Sequence, residues 1–396
     1  MFSYGTLTPA TYNSVGSTPT PTTVYKMYAC YRNSASSSSL YTSIDGGLTW
    51  QNDTGSSGTS TDFAHMGGTD IFLYREDQNK LYMIGRGGGS DYTGNCTPSV
   101  QKESWTRTVQ GSNSSIRGAF TVFYNGSLYW GQSAANSYSQ SSYSSAPFSS
   151  NATWNNDGHF GQKTSYPGTM SNNVNNGCFR DICLNKDNKT YALKKFGYRY
   201  NSSSDIYIRV LVVNLSNRTG VSDCTTKVIG STTVKTSSVA QLSFDHMEGI
   251  GFVAFYNKSS SLKCKLLRTY GLAPANYVAG SEITLGGSGY LIKSNGGRSF
   301  YCPWTQELFI VPNANIVLWT SDGVNWNSSN TTGAGSGTGC CQFLTDGTNM
   351  VIATNATTYY HSQDKGQTWT QRTLANNTFN TGKYDSTIVV PINTQS

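Results

Sequence analysis

The chain has 396 residues, 28 Lys+Arg against 21 Asp+Glu for a net charge of +7, and a charged fraction of only 12%, about half of what soluble domains carry. An aromatic fraction of 13% excludes a mainly disordered chain, and no run approaches the roughly 18 to 20 apolar residues of a membrane helix. The basic residues are scattered, which excludes the charged stripe of a specific nucleic-acid binder. The opening residues Met1-Phe2-Ser3-Tyr4-Gly5-Thr6 have neither the charged nor the apolar region of a Sec signal, so neither membrane insertion nor Sec export is expected.

Residues 1–23 include Thr8-Pro9-Ala10-Thr11 and Ser17-Thr18-Pro19-Thr20-Pro21-Thr22-Thr23, a Thr/Pro-rich stretch without hydrophobic period that reads as an extended arm. Residues 24–396 show short runs rich in Val, Ile, Tyr, Phe and Thr, bounded by Gly, Asn, Asp and Ser, which is an all-β pattern. Three units share one order: Tyr25–Cys30, Leu40–Ser43, Asp45-Gly46-Gly47, Thr49-Trp50; then Leu308–Pro312, Asn315–Ser321, Asp322-Gly323, Asn325-Trp326; then Asn349–Thr354, Thr358–Ser362, Asp364-Lys365-Gly366, Thr368–Thr373. Looser units run from Asp70 to Trp105, Ala119 to Trp154, Ile182 to Val213 and Gly251 to Phe300. Seven units of about 57 residues predict a single β-propeller of seven four-stranded blades, with six as the alternative. The first unit lacks a leading strand, and Ser386–Ile392 is a strand without a unit. The tail is expected to complete the first blade and close the ring, which removes an unpaired edge.

Nine cysteines stand at irregular spacing: Cys30, Cys96, Cys178, Cys183, Cys224, Cys264, Cys302, Cys340 and Cys341. Without a CxxC or a nearby His pair they read as buried, reduced thiols. Cys178/Cys183 and Cys224/Cys264 are the candidate disulfides, while the adjacent Cys340 and Cys341 point to opposite faces if extended.

Ser43-Ile44-Asp45-Gly46-Gly47-Leu48-Thr49-Trp50 and Ser362-Gln363-Asp364-Lys365-Gly366-Gln367-Thr368-Trp369 both read Ser-x-Asp-x-Gly-x-Thr-Trp, and Thr320-Ser321-Asp322-Gly323-Val324-Asn325-Trp326 is a variant. Lys293–Phe300 is a degenerate fourth copy with Asn295 for the Asp. This motif resembles the Asp-box, or BNR repeat, of sialidase-like propellers. The resemblance implies a peripheral turn between the third and fourth strands of a blade. Its chemistry is local: the Asp accepts N–H groups of its own turn, the Gly supplies positive φ, and the Trp packs beneath. A structural role is expected for Ser43, Asp45, Gly47, Thr49, Trp50, Asp322, Gly323, Trp326, Ser362, Asp364, Gly366, Thr368 and Trp369. Calcium ligation is disfavoured because each box supplies a single carboxylate.

Sialidase-like enzymes carry an arginine triad, a Tyr/Glu nucleophile pair and an acid/base Asp. The early Phe/Tyr-Arg-Ile-Pro motif of that family is missing, and the nearest string is Phe179-Arg180-Asp181-Ile182. Arg117, Arg180, Asp181, Asp245, His246, Glu248 and Arg298 are of suitable type to gather at a channel mouth, and equally suited to surface ion pairs. His65, His159, His246 and His361 form neither HxH nor HExxH. No catalytic residue, metal site or cofactor is assigned.

The abundance of Tyr, Trp, Ser, Asn and Thr suits glycan recognition. Ser137–Ala146, Arg86–Gly94 and Thr331–Gly339 resemble adaptable contact loops. Asn-x-Ser/Thr strings such as those at Asn113, Asn151, Asn257 and Asn330 follow from composition and are not read as glycosylated. Low charge and polar β repeats resemble bacteriophage tail proteins. That resemblance implies a non-enzymatic, oligomeric virion component, a nozzle, hub or fibre-associated tail protein located in the virion. Its implied partners are other tail subunits and host-surface glycan. A sialidase-like glycan hydrolase and a free-standing carbohydrate-binding propeller, exported by a non-Sec route, are the alternatives.

Overall fold

Val, Ile, Tyr, Phe and Thr favour the pleated, half-buried surface of a sheet, and where they cluster here the chain forms antiparallel strands. The computed structural model describes residues 22–34, 37–53, 69–75, 79–87, 90–110, 118–124, 127–132, 141–144, 154–155, 179–184, 191–199, 206–214, 219–229, 243–247, 249–258, 260–269, 277–287, 290, 298–313, 315–331, 342–379 and 387–394. Among these there is no α-helix.

Among the described residues the strands form seven antiparallel sheets. In chain order, the first holds β1 (Thr22–Ser34), β2 (Ser37–Ser43) and β3 (Gln51–Asn52); the second β4 (Thr69–Arg75), β5 (Lys80–Gly87), β6 (Ser90–Cys96) and β7 (Thr106–Gln110). The third holds β8 (Gly118–Tyr124), β9 (Ser127–Gln132), β10 (Ser141–Ser144) and β11 (Trp154–Asn155); the fourth β12 (Phe179–Leu184), β13 (Tyr191–Arg199), β14 (Ile206–Asn214) and β15 (Thr219–Ile229). The fifth holds β16 (Ser243–Met247), β17 (Gly251–Lys258) and β18 (Ser261–Thr269), with an outer strand split into β19 (Tyr277–Ala279) and β20 (Ile283–Gly286), both paired to β18. The sixth holds β21 (Arg298–Cys302), β22 (Glu307–Asn313), β23 (Ile316–Thr320) and β24 (Asn327–Asn330); the seventh β25 (Gln342–Thr345), β26 (Met350–Ala353), β27 (Thr358–Ser362) and β28 (Thr370–Thr373). Finally β29 (Thr387–Thr394) returns to the first sheet, pairing β1 from Thr22↔Thr394 to Ala29↔Thr387. The tail therefore supplies the missing leading strand of the first sheet, as its sequence suggested. Pairing begins at Thr22, inside the stretch expected to be an arm; residues 1–21 lie outside the described residues.

Leading strands meet leading strands: β29 lies beside β4, β4 beside β8, β8 beside β12, β16 beside β21, β21 beside β25 and β25 beside β29. Face-to-face packing of successive sheets builds the core, and side-chain alternation along each strand serves two neighbours at once. On β1, Met27 and Ala29 pack with Val351 and Tyr359 of the seventh sheet, while Tyr28 and Cys30 pack with Phe72 and Met83 of the second. On β22, Leu308 and Ile310 face Val253 and Phe255 of the fifth sheet, and Phe309 and Val311 face Met350 and Ile352 of the seventh. This two-sided burial explains why strands such as β17 and β26 read as unbroken apolar runs rather than alternating ones.

Several expected boundaries move. The fourth unit continues past Val213 into β15. The fifth begins at β16, not at Gly251, and Ser299-Phe300 belongs to β21, the leading strand of the next sheet. A leading strand is as apolar as its hairpin partner, so a three-strand grammar could not tell which unit owned it. The degenerate copy at 293–300 departs from the others for the same reason: its Ser299-Phe300 pairs with Ile310 and Phe309 on a leading strand, whereas the turns at Asp45, Asp322 and Asp364 precede outer strands, and residues 293–297 lie outside the described residues. Two expected contact loops are sheet where they are described. Ser141–Ser144 forms β10, and Arg86-Gly87 and Ser90–Gly94 lie in the paired strands β5 and β6. The third, Thr331–Gly339, is described only at Thr331.

Cys30, Cys96, Cys264 and Cys302 are buried free thiols, as expected. The Cys224/Cys264 disulfide is not formed: Cys224 lies on β15 of the fourth sheet, while Cys264 faces the sixth sheet beside Leu308. Cys178, Cys340 and Cys341 lie outside the described residues, and Cys183 stands on β12. Burial pushes the Cys264 thiol up to about 12 and raises those of Cys96 and Cys302. These four thiols are therefore expected to stay unreactive towards an aromatic disulfide reagent at pH 8 in the native protein and to react on unfolding. A thiol count with and without denaturant checks this.

Candidate functional site: the box turns and the seams between sheets

The chain reverses tightly after β2, β23 and β27, and the three boxes sit there, between the third and fourth strands of the first, sixth and seventh sheets. In the first, Asp45 Oδ1 accepts from Ser43 Oγ (2.7 Å) and Thr49 N–H (2.9 Å), Asp45 Oδ2 accepts from Thr49 Oγ1 (2.5 Å), and Ser43 Oγ accepts from Gly47 N–H (2.9 Å). The seventh-sheet box repeats this with Ser362, Asp364, Gly366 and Thr368 at 2.6 to 2.8 Å. In the variant, Asp322 takes the N–H groups of Val324 (2.8 Å) and Asn325 (2.7 Å) and the Asn325 amide (2.6 Å), so Asn325 does the work of Thr. Gly47, Gly323 and Gly366 have φ of 92°, 75° and 81°, a region that suits glycine.

The indoles of Trp50, Trp326 and Trp369 are half-buried, each packed against a core cluster. Trp50 Nε1 donates to Gly47 O (3.2 Å) and Trp369 Nε1 to Ser329 Oγ (3.1 Å), while Trp326 stands edge-on to Phe255 at 5.5 Å. The second and third of these contacts cross to the preceding sheet in the case of Trp326, and to β24 of the sixth sheet in the case of Trp369.

Each box also docks by its loop on the sheet before it. At the sixth-sheet box, Gly323 lies against Leu266 and Val253 of the fifth sheet. At the seventh, the Gly366 carbonyl accepts from Ser329 Oγ of the sixth sheet, and Lys365 Nζ reaches Glu307 Oε1 (2.7 Å) and Oε2 (2.8 Å). At the first, Gly47 lies against Val351, Gly46 O meets buried His361 Nε2 (3.1 Å) and Leu48 O accepts from Tyr359 Oη (3.4 Å), all of the seventh sheet. The first-sheet box therefore joins the two chain ends of the fold. Trp304, in the turn between β21 and β22, adds to that seam by donating to Asp346 O (2.6 Å) and stacking on Tyr25 at 4.9 Å.

Two elements of this arrangement were not singled out in the sequence. Asp346-Gly347-Thr348-Asn349 repeats three bonds of the Asp322 turn, with Asp346 accepting from Thr348 N–H, Asn349 N–H and the Asn349 amide at 2.6 to 2.9 Å. The shared string Asp-Gly-x-Asn was the available signal. The second is a buried ionic cluster in which the turn before β7 docks on the first sheet. Lys26 Nζ donates to Glu103 Oε1 (2.8 Å), Gln101 O (2.8 Å) and Ser99 O (3.1 Å) and approaches Asp53 Oδ2 at 3.5 Å. The turn occupies the place of a box in its sheet and keeps only the closing Ser104-Trp105 of the motif, without its Asp and Gly, so only the fold reveals the Lys26 cluster.

Burial alone would raise the box carboxylates, but their hydrogen bonds outweigh it. Bonds from Thr49 and Ser43 hold Asp45 below the usual range. For Asp364 the bonds from Thr368 are the largest influence and lower it. At Asp322 burial is the largest single influence and raises it, but the N–H groups of Asn325 and Val324, with the Asn325 amide and the Thr320 hydroxyl, together outweigh it and bring it to about 2. A depressed carboxylate stabilises the fold fully above its unfolded value near 3.8 and loses that contribution as pH falls towards 2. Asp322→Asn is therefore expected to cost about 1 kcal/mol at neutral pH, with its thermal midpoint converging on that of the parent between pH 4 and pH 2. His361 is lowered as well, by burial against the opposing contact with the Gly46 carbonyl, and for a base that shift favours the neutral form.

Of the residues considered for catalysis, Arg180 and Asp181 lie near the start of β12, Arg298 at the start of β21, Asp245 in the middle of β16 and His246 near its end. All five stand on leading strands. The starts of β12 and β21 are at the end of their sheets opposite the third-to-fourth-strand turns, by the antiparallel order. Arg117 and Glu248 lie outside the described residues. Among the described residues no group of three or more His, Cys, Asp or Glu is placed to hold a metal.

No family model and no curated protein matches the sequence. The structure is similar to the periplasmic gluconolactonase PpgL of Pseudomonas aeruginosa, with a TM-score of 0.56 at 10% identity over 93% of this chain and 99% of that one. It is also similar to a putative 6-phosphogluconolactonase of Bacteroides uniformis, with a TM-score of 0.53 at 9% identity over the same shares. These likenesses establish a β-propeller fold. At such identities they carry the fold alone.

Proposed function

We propose that the seven sheets close into one seven-bladed ring and that the protein is a non-catalytic assembly unit of a virus particle, a tail component contacting neighbouring subunits and host-surface glycan. The observation that carries this reading is where the described polar groups go. Glu307, His361, Asp53 and Glu103 bind across or along the seams, and Asp45, Asp322, Asp346 and Asp364 hold turns, three of which dock on a neighbouring sheet. A scaffold so pinned presents a fixed outer surface to partners. Closure is favoured by β29 completing the first sheet and by the first-sheet box resting on the seventh, since a closed ring leaves no sheet face open at the seam.

The test is sedimentation of native source material with antibody detection of this chain, followed by a glycan binding and turnover screen. Co-migration with particles at fixed stoichiometry, with no turnover of sialosides or host polysaccharide, is the expected result. A free monomer that cleaves a glycan would overturn the reading in favour of a hydrolase, and a free monomer that only binds one would favour a free-standing lectin.

A further inference from the structure

The cluster between the first and second sheets has an uneven charge count. One ammonium, on Lys26, meets two carboxylates, on Glu103 and Asp53, and their side chains are 1%, 0% and 5% exposed. Glu103 Oε1 accepts three donors: Lys26 Nζ (2.8 Å), Tyr28 Oη (2.6 Å) and Ser99 N–H (3.3 Å). Glu103 Oε2 is equally buried and receives none. Asp53 Oδ2 takes Thr42 Oγ1 (3.0 Å) and shares Lys26. Burying a second uncompensated negative charge here is costly, and a buried carboxylate oxygen without a donor adds to that cost. One proton removes both difficulties, because a carboxylic acid donates where a carboxylate only accepts.

We propose that Glu103 and Asp53 hold one proton between them, seated on the Glu103 Oε2 side, so that the seam between the first two sheets is a neutral Lys–carboxyl–carboxylate latch that weakens as pH rises. The groups facing the pair are Lys26, Tyr28 and Thr42 from the first sheet and Ser99, Gln101 and Cys96 from the second. None of the others supplies a second cation at hydrogen-bonding distance from Glu103. Burial raises the Glu103 carboxyl above its ordinary range, Lys26 and Tyr28 oppose that rise, and the Asp53 contact adds to it. A raised folded-state value stabilises fully below the ordinary glutamate range, near about 4.3, and that contribution is lost as pH climbs through the raised value. The latch thus has the opposite sign to the box carboxylates, which lose strength in acid.

The experiment compares the full chain with Glu103→Gln and Asp53→Asn, each an uncharged mimic of one protonated partner. Infrared difference spectra are recorded from pH 4 to pH 9, with thermal midpoints over the same range. The expected result is a carboxylic-acid carbonyl band that outlasts ionisation of the exposed carboxylates in the parent and is missing from both variants. The parent midpoint should fall relative to Glu103→Gln as pH rises, by about 2 °C for each tenfold of retained proton affinity. A parent band that vanishes together with the exposed carboxylates would overturn the proposal. So would a parent-minus-Glu103→Gln midpoint difference that is flat with pH. If one variant fails to fold, the other and the parent spectrum still decide the matter.

Discussion

Gly47→Ala is expected to destabilise the protein by about 2 to 5 kcal/mol. Two physical causes add. The backbone at Gly47 has φ of 92°, which an L side chain adopts only under strain, and a Cβ there would stand 2.3 Å from Val351 Cγ2, with Met27 Sδ and His361 Cδ2 close behind at 3.5 and 3.7 Å. Val351 is buried on the central strand β26 and has nowhere to retreat. The natural control is Gly249, with φ of 72° and open space around it. Gly249→Ala should cost only the backbone share, about 1 to 2 kcal/mol. Chemical denaturation of both variants checks the pair: equal losses would mean that the contact of the first-sheet box with the seventh sheet contributes nothing to stability.

Lys26→Met is expected to cost about 3 to 5 kcal/mol. The substitution keeps most of the volume of the side chain and removes only the ammonium, which leaves Glu103, Asp53 and the carbonyls of Ser99 and Gln101 without their common donor. The loss is an orphaning effect rather than the net worth of the ion pair. Neutralising the partners as well, in Lys26→Met with Asp53→Asn and Glu103→Gln, should recover part of it. Denaturation midpoints of the single and triple variants give the answer, and a triple variant weaker than the single by a further 2 kcal/mol would show that the carboxylates hold the turn by other means. A surface pair such as Lys258–Glu282, with side chains 35% and 26% exposed, is expected to contribute less than about 1 kcal/mol.

The two predictions bear on different seams, and the seams are where reading the sequence succeeded unevenly. The box motif was legible because its chemistry is local: Ser43, Asp45, Gly47 and Thr49 satisfy one another within seven residues, so spacing alone announces the turn. Asp346 escaped notice because its turn lacks the terminal Trp, although Asp-Gly-x-Asn was present twice. Lys26 and Glu103 were not legible at all, being 77 residues apart and of types usually found on surfaces. The mistaken fifth unit and the misplaced fourth box have one origin. A leading strand such as β21 shares its apolar, aromatic character with the strand after it, so only pairing shows to which sheet Ser299 and Phe300 belong.

By itself the sequence determined what short-range physics controls: an all-β chain, turns built on single Asp side chains, and an orphan strand at the C-terminus matching an incomplete first unit. Tertiary structure alone decided which faces meet. Along β1 the alternation sends Met27 and Ala29 to the seventh sheet and Lys26, Tyr28 and Cys30 to the second. A period of two identifies two faces but cannot name their partners, because those lie on strands dozens to hundreds of residues away. For the same reason the sequence marked the boxes as turns, while their docking, each on the preceding sheet, and the enclosure of Lys26 between two carboxylates depend on where separate sheets come to rest.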